Sequence, residues 1–447
     1  MSMGQRIDRQ EELFILTEGL PKSAGHPFYK ALNRLLAEAD FDRWIEKRCR
    51  QYYDEPGTRG RPSIPPGVYF RMLLVGYFEG IESQRGVAWR CGDSLSLRQF
   101  LGTPLSEHTP DHSTLTNTRK RLPKEVFDEV FQFVLKLAGE KKLLSAKTVG
   151  VDSTMLEADA AMKTIVRRET GEDWKAYVTR LMHEEGIVAA DEQPGDEEIR
   201  RFDKKRKDKK VSNEEWKSPT DGDARIAKMK DGRTHLAYKA EHVVDLESEL
   251  ILSANIHAAD HGDAETMEDS IVQAQTNLNQ LPDQPQIEEV AADKGYHKAE
   301  ALCVLQEEYG LRTYVPEPVR KQRNWTDKPA EQKQAVYNNR RRVNRAKGRL
   351  LQRRRSERVE RSFAHLCDSG GMRRSWLTGL INVSKRYLIA AAAHNLGRLM
   401  RMLCQIGKPK ALQGLVALVY LLQLMLRLLQ QLPRACRINH RSITAAN

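Results

Sequence analysis

Three carboxylates occupy positions from which acidic side chains can converge on a hard cation: Asp152, Asp293 and Glu360. Asp152 lies in a β-branched, alternating stretch from Lys147 to Thr154, where Val149 and Val151 face one way and Gly150 and Asp152 the other. Asp293 follows the strand-like run Gln286 to Ala292, so it stands at the carboxyl end of a strand, where open α/β sheets gather their ligands. Glu360 belongs to a helical pattern whose apolar face is Val359, Phe363 and Leu366, and it sits about 100° round from Val359, at the margin of that face. Oxygen donors converging in a polar cleft suit Mg²⁺, with Mn²⁺ as the substitute, and a pair of such ions about 3.5 to 4 Å apart serves phosphodiester displacement. Three uncompensated negative charges would raise one another's pKa and repel a polyanion, so cations must flank the site. The ordinary alternatives are a strand-ending aspartate that caps a loop and a glutamate salt-bridged among arginines, with Asp245, Asp260 and Asp263 as rival acids.

The elements that must hold these groups follow from periodicity and punctuation. To about Leu144 the chain reads as helical: Val68 to Phe78, Gln84 to Cys91, Leu95 to Phe100, then a helix capped by Asp111 or Ser113 and ending in Arg119, Lys120 and Arg121. Short helices before a capped basic helix fit a helix-turn-helix-like DNA-binding module, and equally a small bundle with a basic surface. Arg59 to Pro66 is a Pro and Gly break. Its Arg59-Gly60-Arg61-Pro62 has the form of a minor-groove arm, although a plain linker accounts for it as well. Beyond Lys147 three strands are expected, Lys147 to Thr154, Thr234 to Val244 and Leu250 to Ile256. A helix from Ala264 to Leu278, the strand Gln286 to Ala292, a helix from His297 to Tyr309, the strand Leu311 to Val315 and the helix of Glu360 complete a mixed α/β sheet. Glu157 to Asp231, polar and mixed in charge, reads as an inserted helical arm or a partly disordered loop.

Charge adds a second clue. Of 447 residues, 73 are Lys or Arg and 61 are Asp or Glu, a formal net charge of +12. Residues 320–361 hold sixteen basic and four acidic residues, which leaves 57 of each sign elsewhere, so one segment owns the whole surplus. Such a concentration suits a polyphosphate partner; a solvated helix face is the plainer reading. Its triplets Arg340, Arg341, Arg342 and Arg353, Arg354, Arg355, with Lys294 beside Asp293, are the candidate phosphate contacts, together with Arg119, Lys120 and Arg121. Six scattered cysteines form no C-x-x-C pair, and the N-terminus lacks an apolar leader, so a reducing cytoplasm is expected. Leu412 to Leu432 approaches the length of a membrane span but carries Arg427 and four glutamines, which favours a packed or oligomer-forming helix.

Three blocks also resemble a known family. GVDST at Gly150, AADKGYH at Ala291 to His297 and VERSFAHL at Val359 to Leu366 resemble the motif blocks of bacterial insertion-sequence DDE transposases. GMRRSWLTGL and KRYLIAAAAHNLGRL downstream, and GRPSIPPGVYFRMLLVGYFEGI and PDHSTLTNTRKRL upstream, are similar to flanking parts of the same group, so the resemblance runs from about residue 60 to 403. It implies an RNase H-like catalytic core with Asp152, Asp293 and Glu360 as the metal-binding triad, with Glu357 as the near neighbour that the V-E-x-x-F context passes over. The implied reaction is metal-dependent cleavage at the element's end, freeing a 3′-OH, then attack of that hydroxyl on target DNA without ATP. Some relatives carry a Tyr and an Arg before the Glu and a Lys after it. Here those positions are Arg353, Ser356 and Cys367, so the signature of a hairpin route is missing. The implied partner is double-stranded DNA, bound by a homodimer or larger assembly. A relic or regulator that binds DNA without turnover, and a nuclease without strand transfer, are the alternatives. The expected domains are an N-terminal segment and linker (1–62), a helical DNA-binding domain (63–144), the catalytic domain (145–405) and a helical tail (406–447).

Overall fold

The computed structural model describes residues 25–54, 63–189, 191–207, 211–229, 231–319 and 324–409. Seven helices come first: α1 (Pro27–Glu38), α2 (Phe41–Cys49), α3 (Pro66–Glu79), α4 (Gln84–Asp93), α5 (Leu95–Leu101), α6 (His112–Arg121) and α7 (Lys124–Glu140). Their ends obey local chemistry. α3 opens on Pro66, whose missing N–H is no loss in a first turn, and closes on Gly80 in the left-handed region at φ 67°. Asp111 caps α6 by accepting from the Thr114 amide at 2.8 Å. Phe28, Leu32, Phe41 and Ile45 seat α1 and α2, from the stretch assigned to a segment and linker, in the same apolar core as α3 and α7.

The sheet follows. Its strands are β1 (Thr148–Glu157), β4 (Arg225–Lys228), β5 (Thr234–Asp245), β6 (Ile251–Ala258), β7 (Glu289–Ala292) and β8 (Arg312–Tyr314); a separate two-stranded ladder joins β2 (Val166–Arg167) to β3 (Trp216–Lys217). β1 pairs antiparallel with β5, and β5's other edge is shared by β6 and the short β4. On the opposite side β1 pairs parallel with β7 and β7 parallel with β8. The expected strands are therefore present, and the chain is a mixed α/β protein with β1 at its centre.

Between β1 and β5, the polar stretch carries α8 (Trp174–Glu184) and α9 (Asp196–Lys205) over a small core of their own, Val178, Met182 and Ile199. β4, at its end, is polar and four residues long, which hid it from a pattern of alternation. After β6 come α10 (Asp263–Asn279), α11 (Ala299–Glu307), α12 (Ala330–Asn344), α13 (Ala346–Phe363), a π-helical turn (Ala364–Ser369) and α14 (Leu380–Cys404). α10 covers one face of the sheet, where Ser270 accepts from Asn255 and its carbonyl accepts from Ser253. α13 and α14 cover the other.

α14 is apolar on nearly every side, the mark of a buried helix. Its Asn395 bonds both the N–H and the C=O of Ile251 on β6, at 2.9 and 2.8 Å. Its Lys385 ammonium donates to the carbonyls of Arg119 and Leu122 at the end of α6. One hydrophobic core runs from α1 through the sheet to α14. Among the described residues no helix is long and apolar enough to cross a membrane; the arm Arg59 to Pro62 and the apolar stretch Leu412 to Leu432 lie outside them.

Candidate active site

Register places the first two acids. Gly150 pairs with Ala291 and Val151 with Ala292 in the parallel ladder, so Asp152 and Asp293 are the next residues of adjacent strands and share a face. The same face carries His242, the antiparallel partner of Asp152 on β5. α13 lies across it. Gly150 permits that approach: a Cβ there would stand 2.7 Å from Val359 Cγ2 and 2.7 Å from Leu246 Cδ2.

Between the aspartates lies Arg355. Its Nη1 donates to Asp152 Oδ2 at 2.7 Å and its Nη2 is 3.9 Å from Asp293 Oδ1. Arg355 is only 7% exposed, and its Nε has no acceptor. The Ser153 amide donates to the other oxygen of Asp152 at 2.8 Å. Burial raises the Asp152 carboxyl above its ordinary range; Arg355 and the Ser153 amide oppose the shift, and the charge of Asp293 adds to it. Arg355 answers the need for a counter-charge from within the fold. Its signal was in the sequence, since Leu351, Arg355 and Val359 repeat every four residues along the buried face of α13.

Glu360 is not drawn into this pair. It is exposed on α13, and its Oε1 accepts from Ser356 Oγ at 3.0 Å, one turn back. Among the described residues no three His, Cys, Asp or Glu side chains are grouped so as to hold one metal ion.

The opposite face of the sheet holds a buried polar network that the sequence reading passed over. Lys239 and Glu241, alternate residues of β5, are both fully buried. The Lys239 ammonium contacts Asp263 at 2.8 Å and Thr266 Oγ1 at 2.9 Å; Glu241 accepts from Thr266, Tyr296 and Ser270. Burial pushes the Glu241 carboxyl up, and these bonds with the Lys239 charge oppose it. Asp263 also accepts from Ser153 Oγ at 2.9 Å and packs so closely on Gly295 that a Cβ there would lie 2.6 Å from its carboxylate. The network thus fixes the residue after Asp152 and the loop after Asp293. Lys239 and Glu241, two opposite charges at alternate positions of one strand and so on one face of it, were its visible sign.

The rival acids have structural partners: Asp245 accepts from Ser248 Oγ at 2.6 Å, and Asp260 pairs with Arg225 at 3.4 Å. Tyr296 and His297 are buried, whereas Lys294 is exposed.

The candidate phosphate contacts divide into two sets. Arg341, Arg353, Arg354, Lys120 and Arg121 are exposed, Arg121 lying over the Tyr53 ring at 4.7 Å. Arg340 pairs with Glu317 at 2.7 Å, and Arg342 donates to the Thr313 carbonyl at 3.0 Å, clamping β8. Arg119 is half-buried and faces a cavity beside α14. His242 is buried, its Nδ1 2.8 Å from Ser362 Oγ and its Nε2 2.8 Å from the Tyr387 hydroxyl, with its ring stacked on Phe363. The Ser362 proton is given to the Val359 carbonyl, so Nδ1 is the donor and Nε2 accepts from Tyr387.

Comparison with known proteins adds the family. Residues 19–121 match the model of the Transposase domain (DUF772), and residues 197–396 match that of the Transposase DDE domain. Searches of curated proteins and of solved structures find no match. With both models in tandem, the second spanning Asp293 and Glu360, the chain belongs to the DDE transposases.

Proposed function

We propose that the chain binds the ends of an insertion sequence and catalyses metal-dependent DNA cleavage and strand transfer, through an RNase H-like core in which Asp152, Asp293 and Glu360 hold the metal. One observation carries the reading: Asp152, midway along β1, and Asp293, just past the end of β7, lie side by side on adjacent parallel strands, beneath the helix that bears Glu360. The strand order, with β5 and β6 antiparallel on one side of β1 and β7 and β8 parallel on the other, supports the core.

The donors fit a hard cation. Two carboxylates converge, and the guanidinium lodged between them marks a place that accepts positive charge. Mg²⁺, as two ions, would supply Lewis acidity at the scissile phosphate. The chain's own residues do the rest. Arg349 and Arg353 are exposed on the same side of α13 as Glu360, eleven and seven residues before it, and they form a basic stripe that guides a phosphate backbone toward the acids. Lys294 extends the stripe beside Asp293.

The test is a strand-cleavage and joining assay on DNA bearing the element's terminal repeats, with Mg²⁺, comparing wild type with Asp152→Asn. Cleaved and joined products that vanish in the variant are expected; cleavage without joining would reduce the enzyme to a nuclease. The separation of Glu360 from the aspartates favours a second reading, a relic that binds DNA without turnover. Wild-type binding without cleavage would establish that one instead.

A further inference from the structure

A cavity of about 740 Å³ opens between α3, α4 and α6 on one side and α14 with the Gly370 to Leu377 loop on the other. None of the residues lining it belongs to the sheet or to the acidic pair, so it is a separate place on the molecule.

Its chemistry is basic and aromatic. Arg85, Arg119 and Arg386 line it against one carboxylate, Glu82. Arg119 is half-buried, forms no hydrogen bond or ion pair through its guanidinium with the described residues, and has its Nε shielded from solvent without an acceptor among them. Among the described residues Arg386 hydrogen-bonds main-chain carbonyls alone, those of Gly371 at 3.0 Å and Arg374 at 3.4 Å. Burial depresses both, Arg386 to about 10; the charge of Glu82 opposes the shift at Arg386 and that of Arg119 adds to it. Tyr69 and Phe127 form apolar walls. At the mouth Trp376 is 47% exposed, and its position is held by a hydrogen bond from its Nε1 to Glu82 at 3.1 Å and by Arg374 over its ring at 4.8 Å.

A half-buried guanidinium without an acceptor asks for an anion, and a pinned, exposed indole offers a flat stacking surface. Few small ligands carry both a phosphate and an aromatic plane, and the volume lies within the range of small-ligand sites. We propose that this cavity binds one nucleotide, its phosphate on Arg119 and Arg386 and its base against Trp376. The inference rests on the DNA reading only for the source of that nucleotide, an unpaired residue of the bound strand rather than a free nucleotide.

Two probes separate the sources: 2-aminopurine deoxyriboside 5′-monophosphate, and a single strand carrying 2-aminopurine. Each is titrated by fluorescence into the full chain, into Arg119→Gln and into Trp376→Ala, with circular dichroism as the check on folding and duplex binding measured in parallel. Wild type is expected to quench both probes, Arg119→Gln to weaken them about tenfold, the scale of one charge-assisted hydrogen bond, and Trp376→Ala to remove the quenching. Binding of the mononucleotide alone supports the site with free nucleotide as its occupant. Equal quenching by all three proteins, or none by wild type, overturns the proposal whatever the duplex shows. Duplex binding missing from wild type would instead sink the DNA reading and leave the mononucleotide result standing.

Discussion

Arg355 and His242 show how much of the candidate site is decided by single side chains. Removing one partner of a buried ion pair leaves the other charged and dry, at a cost of about 3–5 kcal/mol. Arg355→Met should therefore lower stability in urea unfolding by that order, and Asp152→Asn with Arg355→Met together should recover part of the loss. Full additivity of the two single changes would show that they do not interact. Histidines make a second prediction. Burial lowers His242 to about 3 and His257 and His365 to about 4, against an ordinary 6.5. All three are neutral in the folded chain, and the unfolded chain takes up their protons first as pH falls. Their contribution to stability is thus complete above about pH 6.5 and is lost on descending toward about pH 4. The melting midpoint should fall across that window, and His242→Gln should flatten the fall; an unchanged slope would refute the assignment.

At the scale of elements, the approach of α13 to β1 is the controlling contact. Gly150→Val would force branched carbons into Val359 and Leu246, and should destabilise the chain by about 1–3 kcal/mol while reducing strand cleavage. Activity at the wild-type level would mean that the spacing of helix and strand is not what positions the acids. β1, β5, β6, β7 and β8 were legible because alternation and β-branching name a strand without reference to its neighbours. The adjacency of Asp152 and Asp293 came from the parallel pairing of β1 with β7, which the patterns of the separate strands do not specify. The occupant between them was passed over although its signal was present: a run of arginines looks uniform in sequence, and only the four-residue repeat through Leu351 and Val359 turns Arg355 inward while Arg353 and Arg354 stay in water. The pairing of Lys239 and Glu241 with residues of α10 and the Asp293 loop was equally out of reach, because those partners are set by how the layers stack.

For the whole molecule, the charge surplus narrows to fewer residues than composition suggests. Arg340, Arg342, Arg355, Arg361 and Lys347 are engaged with Glu317, Thr313, Asp152, Glu249 and Glu289 respectively. Arg341, Arg345, Arg349, Arg353 and Arg354 remain exposed, and on the proposed reading they and Lys294 would supply about six phosphate contacts. The logarithm of duplex affinity should then fall with the logarithm of salt at a slope near −5. Reversing Arg353 and Arg354 to Glu should make it shallower by about 2, and a wild-type slope near zero would remove the basic stripe from DNA binding.

The core that α1 to α7 share with the sheet has a mechanical meaning. No polar seam separates the helices that would grip an element's end from the acids that would cut it, since Lys385, Tyr387 and Asn395 of one helix tie α6, the Asp152 face and β6 together. On the proposed function, the protein would then act as a caliper with fixed jaws. Lengthening the DNA between the gripped sequence and the terminus by a few base pairs should leave the distance from grip to cut unchanged and move the break inside the element, as mapped on a sequencing gel.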